Sequence, residues 1–134
     1  MAVYPQIPAN KIDRQHLLEK ELRKYHYKHF YCKSLNVKVR IYPKSISETA
    51  YHAAKSVLAT KLALRLPYVI QNAKIYKLNQ PIKNNKQTKE FHFKELAILK
   101  CGIRGLGTAK LTVGYRYKRL VIEYCITDFK YNSK

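Results

Sequence analysis

The chain has 134 residues and carries 27 Lys+Arg against 8 Asp+Glu, a formal charge of +19. With 46% hydrophobic residues it has too much apolar content for a disordered basic tail, and its length predicts one domain with a buried core. No apolar run approaches the roughly 20 residues of a membrane span, and the start MAVYPQIPANK lacks the apolar stretch of a secretory signal. The expected address is cytoplasmic, or the cytoplasm of a target cell if a larger protein delivers the domain.

In chain order, Pro5 and Pro8 mark an irregular lead. A helix is predicted from Asn10 or Asp13 to about Tyr27, with Leu18, Leu22 and Tyr25 spaced for one face. Asn36 to Tyr42 alternates Val37, Val39 and Ile41 with Lys38 and Arg40, the pattern of a half-buried strand. Pro43 is expected to end that strand. Ser45 and Glu48 form an S-x-x-E capping box that predicts a second helix opening at Ser45 and continuing through Ala50, Ala53 and Ala54. Thr60 and Pro67 predict a break into one or two short helices through Asn72, with Pro67 in a first turn.

The remainder reads as strands: Lys74 to Leu78, Phe91 to Leu99, Lys110 to Tyr117 and Leu120 to Thr127. A polar loop is predicted over 79–89 and a glycine-containing turn over 101–107. The implied class is α+β, with N-terminal helices packed on one face of a four- to five-stranded antiparallel sheet.

Cys32, Cys101 and Cys125 make an odd number without a CxxC pair, so reduced, buried thiols are expected. His26, His29 and Cys32 lack a fourth ligand at metal-binding spacing, and neither a metal nor another cofactor is expected. Charge of this size on a small body favours a polyanionic partner: nucleic acid first, an acidic protein second, a membrane surface a distant third.

Two constellations could carry chemistry. If Lys118-Arg119 is a two-residue turn, Lys110, Thr112, Gly114 and Arg116 share a sheet face with Glu123, Cys125 and Thr127. A carboxylate, two cations and two hydroxyls meet the needs of metal-free RNA cleavage: a base for the 2′-hydroxyl, an acid for the leaving oxygen and cations for the phosphate. The same pattern also describes an ordinary solvated sheet face with cross-strand ion pairs. On the second helix, Glu48, His52 and Lys55 fall at i, i+4 and i+7 on one face, so Glu48 can hold His52 as a general acid or base. The cap alone also accounts for Glu48.

Tyrosines interleave with cations in Tyr25-His26-Tyr27-Lys28-His29-Phe30-Tyr31 and in Tyr115-Arg116-Tyr117-Lys118-Arg119, offering stacking and phosphate contacts to single strands. Several of these rings fit a core equally well. Gly102-Ile103-Arg104-Gly105-Leu106-Gly107 reads as a flexible turn whose N–H groups could approach a phosphate.

The segments Ser45-Ile46-Ser47-Glu48-Thr49-Ala50-Tyr51-His52-Ala53-Ala54-Lys55, Leu66-Pro67-Tyr68-Val69-Ile70-Gln71-Asn72-Ala73, Gly107-Thr108-Ala109-Lys110-Leu111-Thr112-Val113-Gly114 and Tyr124-Cys125-Ile126-Thr127 resemble the barnase/EndoU/colicin/RelE-like nuclease superfamily. Within it, the segments resemble in particular the toxin-like domains of phage and mobile-element polyvalent proteins. The resemblance covers about residues 35–127 as a nuclease-like core and leaves 1–33 as an N-terminal helical extension of the single domain 1–134. It implies helices on one face of an antiparallel sheet, RNA on the other, and cleavage through a 2′,3′-cyclic phosphate. Carried onto this chain, it implies roles for His52, Lys110, Thr112, Tyr124 and Thr127, with Glu123 as a base.

The first expectation is therefore a metal-independent endoribonuclease of toxin or effector type. Its catalytic residues would be His52, Lys110, Thr112, Arg116, Glu123 and Thr127, and its substrate contacts Glu48, Lys55, Arg104 and Tyr124. RNA is the expected partner, with an acidic antitoxin or immunity protein as a second. The alternative is a non-catalytic nucleic-acid-binding module of a phage or mobile element.

Overall fold

A computed structural model of the chain describes residues 6–80, 95–118 and 121–132, with side chains described for 6–78 and 96–114. The elements are α1 (Lys11–Leu22), a 3-10 turn (Arg23–Tyr25), β1 (His29–Cys32), β2 (Val37–Arg40), α2 (Pro43–Ala53), α3 (Val57–Ala63), α4 (Leu66–Asn72), β3 (Lys74–Gln80), β4 (Glu95–Ile103), β5 (Gly107–Lys118) and β6 (Val121–Asn132). The class is α+β. The strands form one six-stranded sheet in the order β1-β2-β6-β5-β4-β3. All pairings are antiparallel except β2 with β6, so the sheet is mixed and wider than the four to five antiparallel strands expected.

Asn10 caps α1, its side chain accepting from the Asp13 N–H at 2.8 Å. Leu18 and Leu22 drop from α1 into the core at the expected spacing. The helix stops at Leu22 rather than near Tyr27, and Phe30 and Cys32 then alternate inward as the unpredicted strand β1. β1 pairs with β2, Phe30 opposite Val39 and Cys32 opposite Val37. Segment 1–33 thus contributes a helix and a strand to the common core.

Pro43 opens α2 instead of merely ending a strand. Tyr42 is the N-cap and Pro43 sits at the first helical position, where its fixed φ suits the helix and its missing N–H forgoes no hydrogen bond. The expected capping box is displaced by this start, and Ser45 lies buried inside the first turn. Ser56 caps α3 by accepting from the Ala59 N–H at 3.3 Å. Thr60 breaks nothing: it is buried within α3, its hydroxyl donating to the Ser56 and Ala53 carbonyls at 2.8 and 3.1 Å. Pro67 occupies the first turn of α4, as expected.

α2, α3 and α4 pack against β6, β5 and β1, and α1 lies over α2 and α3. The core joins Ile46, Ala50 and Ala53 of α2 and Leu62 and Leu66 of the next helices to Val39, Leu99 and Leu111 of the sheet. Leu99 and Leu111 are fully buried and directly opposite each other, each stabilising the fold by about 1.5–3 kcal/mol. The buried Arg14 ties the helices together. Its Nε donates to the Ala54 carbonyl at 2.7 Å, at the end of α2, and its Nη1 donates to the Ala9 and Pro8 carbonyls at 2.7 and 3.2 Å. This guanidinium satisfies a carbonyl that the helix end leaves without an internal partner.

β3 is longer than predicted, β4 runs on past Leu99 to Ile103, and β6 continues past Thr127 to Asn132. Most of the predicted polar loop over 79–89, and Phe91 to Lys94, lie outside the described residues. The glycine segment closes the β4–β5 hairpin with Ile103 opposite Gly107 and the Leu106 N–H donating to the Ile103 carbonyl at 3.0 Å. Gly105 takes φ +82° there, a conformation that a side chain would strain.

Candidate nucleic-acid interface

Strand alternation gives the sheet two unlike faces. On β4 and β5, Ala97, Leu99, Cys101, Ala109, Leu111 and Val113 are buried beneath the helices, while the intervening Ile98, Lys100, Lys110 and Thr112 are half-buried on the open face. Register then decides which open-face residues meet. Lys74 pairs with Lys100, Lys100 with Lys110, and Lys110 with Lys130. One lysine from each of β3, β4, β5 and β6 therefore stands in a single row perpendicular to the strands. At about 4.8 Å between strands the row is about 14 Å long. Like charges directly opposite one another destabilise a sheet, so no requirement of folding calls for this arrangement.

The next position along the strands holds Ile98, Thr112 and Asp128. Beyond it run Leu96, Gly114, Cys125, Arg40 and His29, with the Arg40 guanidinium donating from Nη2 to His29 Nε2 at 2.9 Å. His29 and Cys32 fall on opposite sides of β1, as their burial shows, so strand geometry separates two members of the His26-His29-Cys32 spacing. Among the described residues no three His, Cys, Asp or Glu side chains converge on a metal position.

Several expected site residues do share the open-face register. Arg116 lies opposite Glu123, and Lys110 and Thr112 are two strand positions apart on β5. The register differs from the one assumed, since Lys118 pairs with Val121 and Tyr117 with Ile122. The resulting slide of two residues preserves each residue's face while changing its partner. Thr127 is the exception. A bulge between the Thr112 and Val113 pairs leaves it without a register partner, and Asp128 takes the place opposite Thr112. Tyr124 registers with Tyr115 and with the buried Val39, not with the lysine row. Arg104 is exposed at the β4–β5 hairpin tip.

His52 is elsewhere. α2 turns Ile46, Ala50 and Ala53 into the core, leaving Glu48 and His52 on its solvent side, with His52 Nε2 3.7 Å from Glu48 Oε2. The helix layer and the sheet stand between this pair and Lys110. Beside it the exposed Tyr51 ring carries the Lys11 ammonium at 4.7 Å and the Lys55 ammonium at 5.0 Å from its centroid. Glu48, His52 and Lys55 thus form a helix-side cluster, separate from the open-face positions of Lys110, Thr112, Arg116 and Glu123.

Sequence reasoning missed Lys74, Lys100 and Tyr76. Lys100 lies just beyond the strand that the sequence predicts, and the extension of that strand to Ile103 pairs it with Lys110. Tyr76 is the extra residue of a bulge on β3, between the Ile75–Leu99 and Lys77–Ile98 pairs. Its ring is 55% exposed, with the Lys100 ammonium 3.8 Å and the Lys77 ammonium 5.5 Å from the centroid. Cys101, beneath the sheet, is pushed above its ordinary thiol value by burial, which outweighs the opposing pull of Arg65. That makes it an inert core thiol rather than a nucleophile. Among the described residues no helix is long and apolar enough to cross a membrane. Comparison with protein families, curated proteins and solved structures returns no match.

Proposed function

We propose that the protein binds RNA through the open face of its sheet. The observation that carries this reading is the lysine row Lys74-Lys100-Lys110-Lys130, four like charges in successive register on neighbouring strands. A polyanion relieves the repulsion that the row builds into the folded protein. The net charge of +19 supplies long-range attraction, and the row gives it a place to act.

The test is a titration of labelled RNA at several salt concentrations. If the row neutralises about four phosphates of a single strand, log K falls against log salt with a slope of about −3. Replacing Lys100 and Lys110 with Gln lowers both affinity and slope. Affinity indifferent to salt, or unchanged in that double variant, rejects the reading. An excess of polyglutamate serves as the competitor that an acidic protein partner would resemble.

A second reading, metal-independent cleavage by the same face, is favoured by the placement of Glu123 opposite Arg116. A carboxylate can accept the 2′-hydroxyl proton while a neighbouring guanidinium stabilises the phosphate. This reading assigns the base to Glu123 rather than His52, which lies across the sheet from Lys110. Incubation with RNA in EDTA, followed by 3′-end analysis, separates the two readings. Cyclic-phosphate ends that disappear in Glu123→Gln and persist in His52→Ala support cleavage by this face. Intact RNA leaves a binding module, and loss in His52→Ala alone moves any chemistry to the helix side.

A further inference from the structure

Resting on the RNA-binding reading, we infer that the open face selects single-stranded nucleic acid, laid across the strands along the lysine row with a base stacked on Tyr76. The direction follows from the register. Four lysine positions fall in one line perpendicular to the strands, whereas along β5 the next open-face position after Lys110 is the neutral Thr112. A backbone following the row meets a lysine position on each of four neighbouring strands, whereas one running along β5 leaves Lys110 for Thr112 and Gly114 before it reaches Arg116. At about 3.4 Å per phosphate in a stacked strand, a row of about 14 Å faces about four phosphates.

Tyr76 sits at the β3 end of this row. The bulge lifts it out of regular pairing, its ring is more than half exposed, and Lys100, a member of the row, rests against it. An exposed cation–π contact is weaker than a base–aromatic stack. An arriving base therefore displaces the ammonium from the ring, and the displaced Lys100 remains within reach of that nucleotide's phosphate. A duplex keeps its bases paired inward and along its length offers the ring nothing to stack. The lysines hold any polyanion, and Tyr76 distinguishes an unpaired strand from a paired one. Edge position suits this role: among the described residues β3 is the outermost strand of the sheet on this side.

The experiment measures fluorescence anisotropy of the full chain with a labelled eight-nucleotide RNA, the matching DNA strand and a blunt RNA duplex of the same length. Tyr76→Leu is expected to weaken both single strands about tenfold, with duplex binding unchanged. Tyr76→Phe is expected to retain single-strand affinity, because the ring and not the hydroxyl does the stacking. Lys74→Gln is expected to make the salt slope shallower by about 0.7 on single strands. Equal losses on single strand and duplex in Tyr76→Leu, or no loss on either, overturn the inference while leaving RNA binding intact. A wild-type protein that binds none of the three ligands with salt dependence overturns the RNA-binding reading and the inference together. Tyr76 is a surface residue, and a thermal melt confirms that its variants fold.

Discussion

The two faces of this sheet are built from alternate residues of the same strands, yet they obey opposite rules. Leu99 and Leu111 face each other beneath the helices, and their neighbours Lys100 and Lys110 face each other one position along, on the open side. The first pair draws the strands together by removing apolar surface from water. The second pushes them apart. The core face tolerates little change because it holds the fold, whereas the open face carries a repulsive arrangement that does nothing to hold it.

The largest effect is expected where the core face is broken. Leu111→Ala removes a fully buried side chain and should lower stability by about 2–5 kcal/mol in urea denaturation, with RNA affinity preserved in the folded fraction. Next comes a cation on the helix side. Arg14→Ala frees the Ala54, Ala9 and Pro8 carbonyls from their buried donor and should lose about 2–3 kcal/mol. A cation on the open side should do the reverse. Lys110→Thr relieves repulsion from both neighbours in the row, raising stability by up to about 1 kcal/mol at low salt and by nothing at high salt, while RNA binding weakens. If Lys110→Thr destabilised the protein as Arg14→Ala does, the contrast between the faces would collapse.

The smallest effect concerns Cys101. Its folded thiol holds its proton above the ordinary value of 9.0, at which the unfolded thiol ionises. Its contribution is therefore complete below that pH and declines as pH rises through it, because the unfolded chain then binds fewer protons. Urea midpoints measured from neutral pH into the alkaline range should fall more steeply for the wild type than for Cys101→Ala.

The faces of the C-terminal strands were legible in the sequence, because alternation survives an even slide of register, as at Arg116 and Glu123. Partners were not, because pairing depends on where the turn after Lys118 falls and on the bulge beside Thr127. The lysine row was invisible for the same reason. Its members are far apart in the chain and meet only through three separate pairings. β1 escaped notice because His29, Phe30 and Tyr31 belong to a run of rings and cations that reads as a binding segment, although Phe30 and Cys32 already alternate. His52 and Lys110 were grouped by their chemistry, and only the packing of α2 above the sheet separates them. Pro43 carries two signals, a strand breaker and a first-turn former, and the second decides where α2 begins.

The parallel pairing of β2 with β6 also bears on how the chain acquires its structure. The β1–β2 hairpin forms from neighbouring residues, but it can join the sheet only through β6, which is made some eighty residues later. Until then the outer edge of β2 and the free edge of β5 both present unpaired backbone groups. A contact this distant in sequence closes slowly. The emerging polypeptide should therefore remain unfinished until its last strand arrives between these two edges and closes both at once.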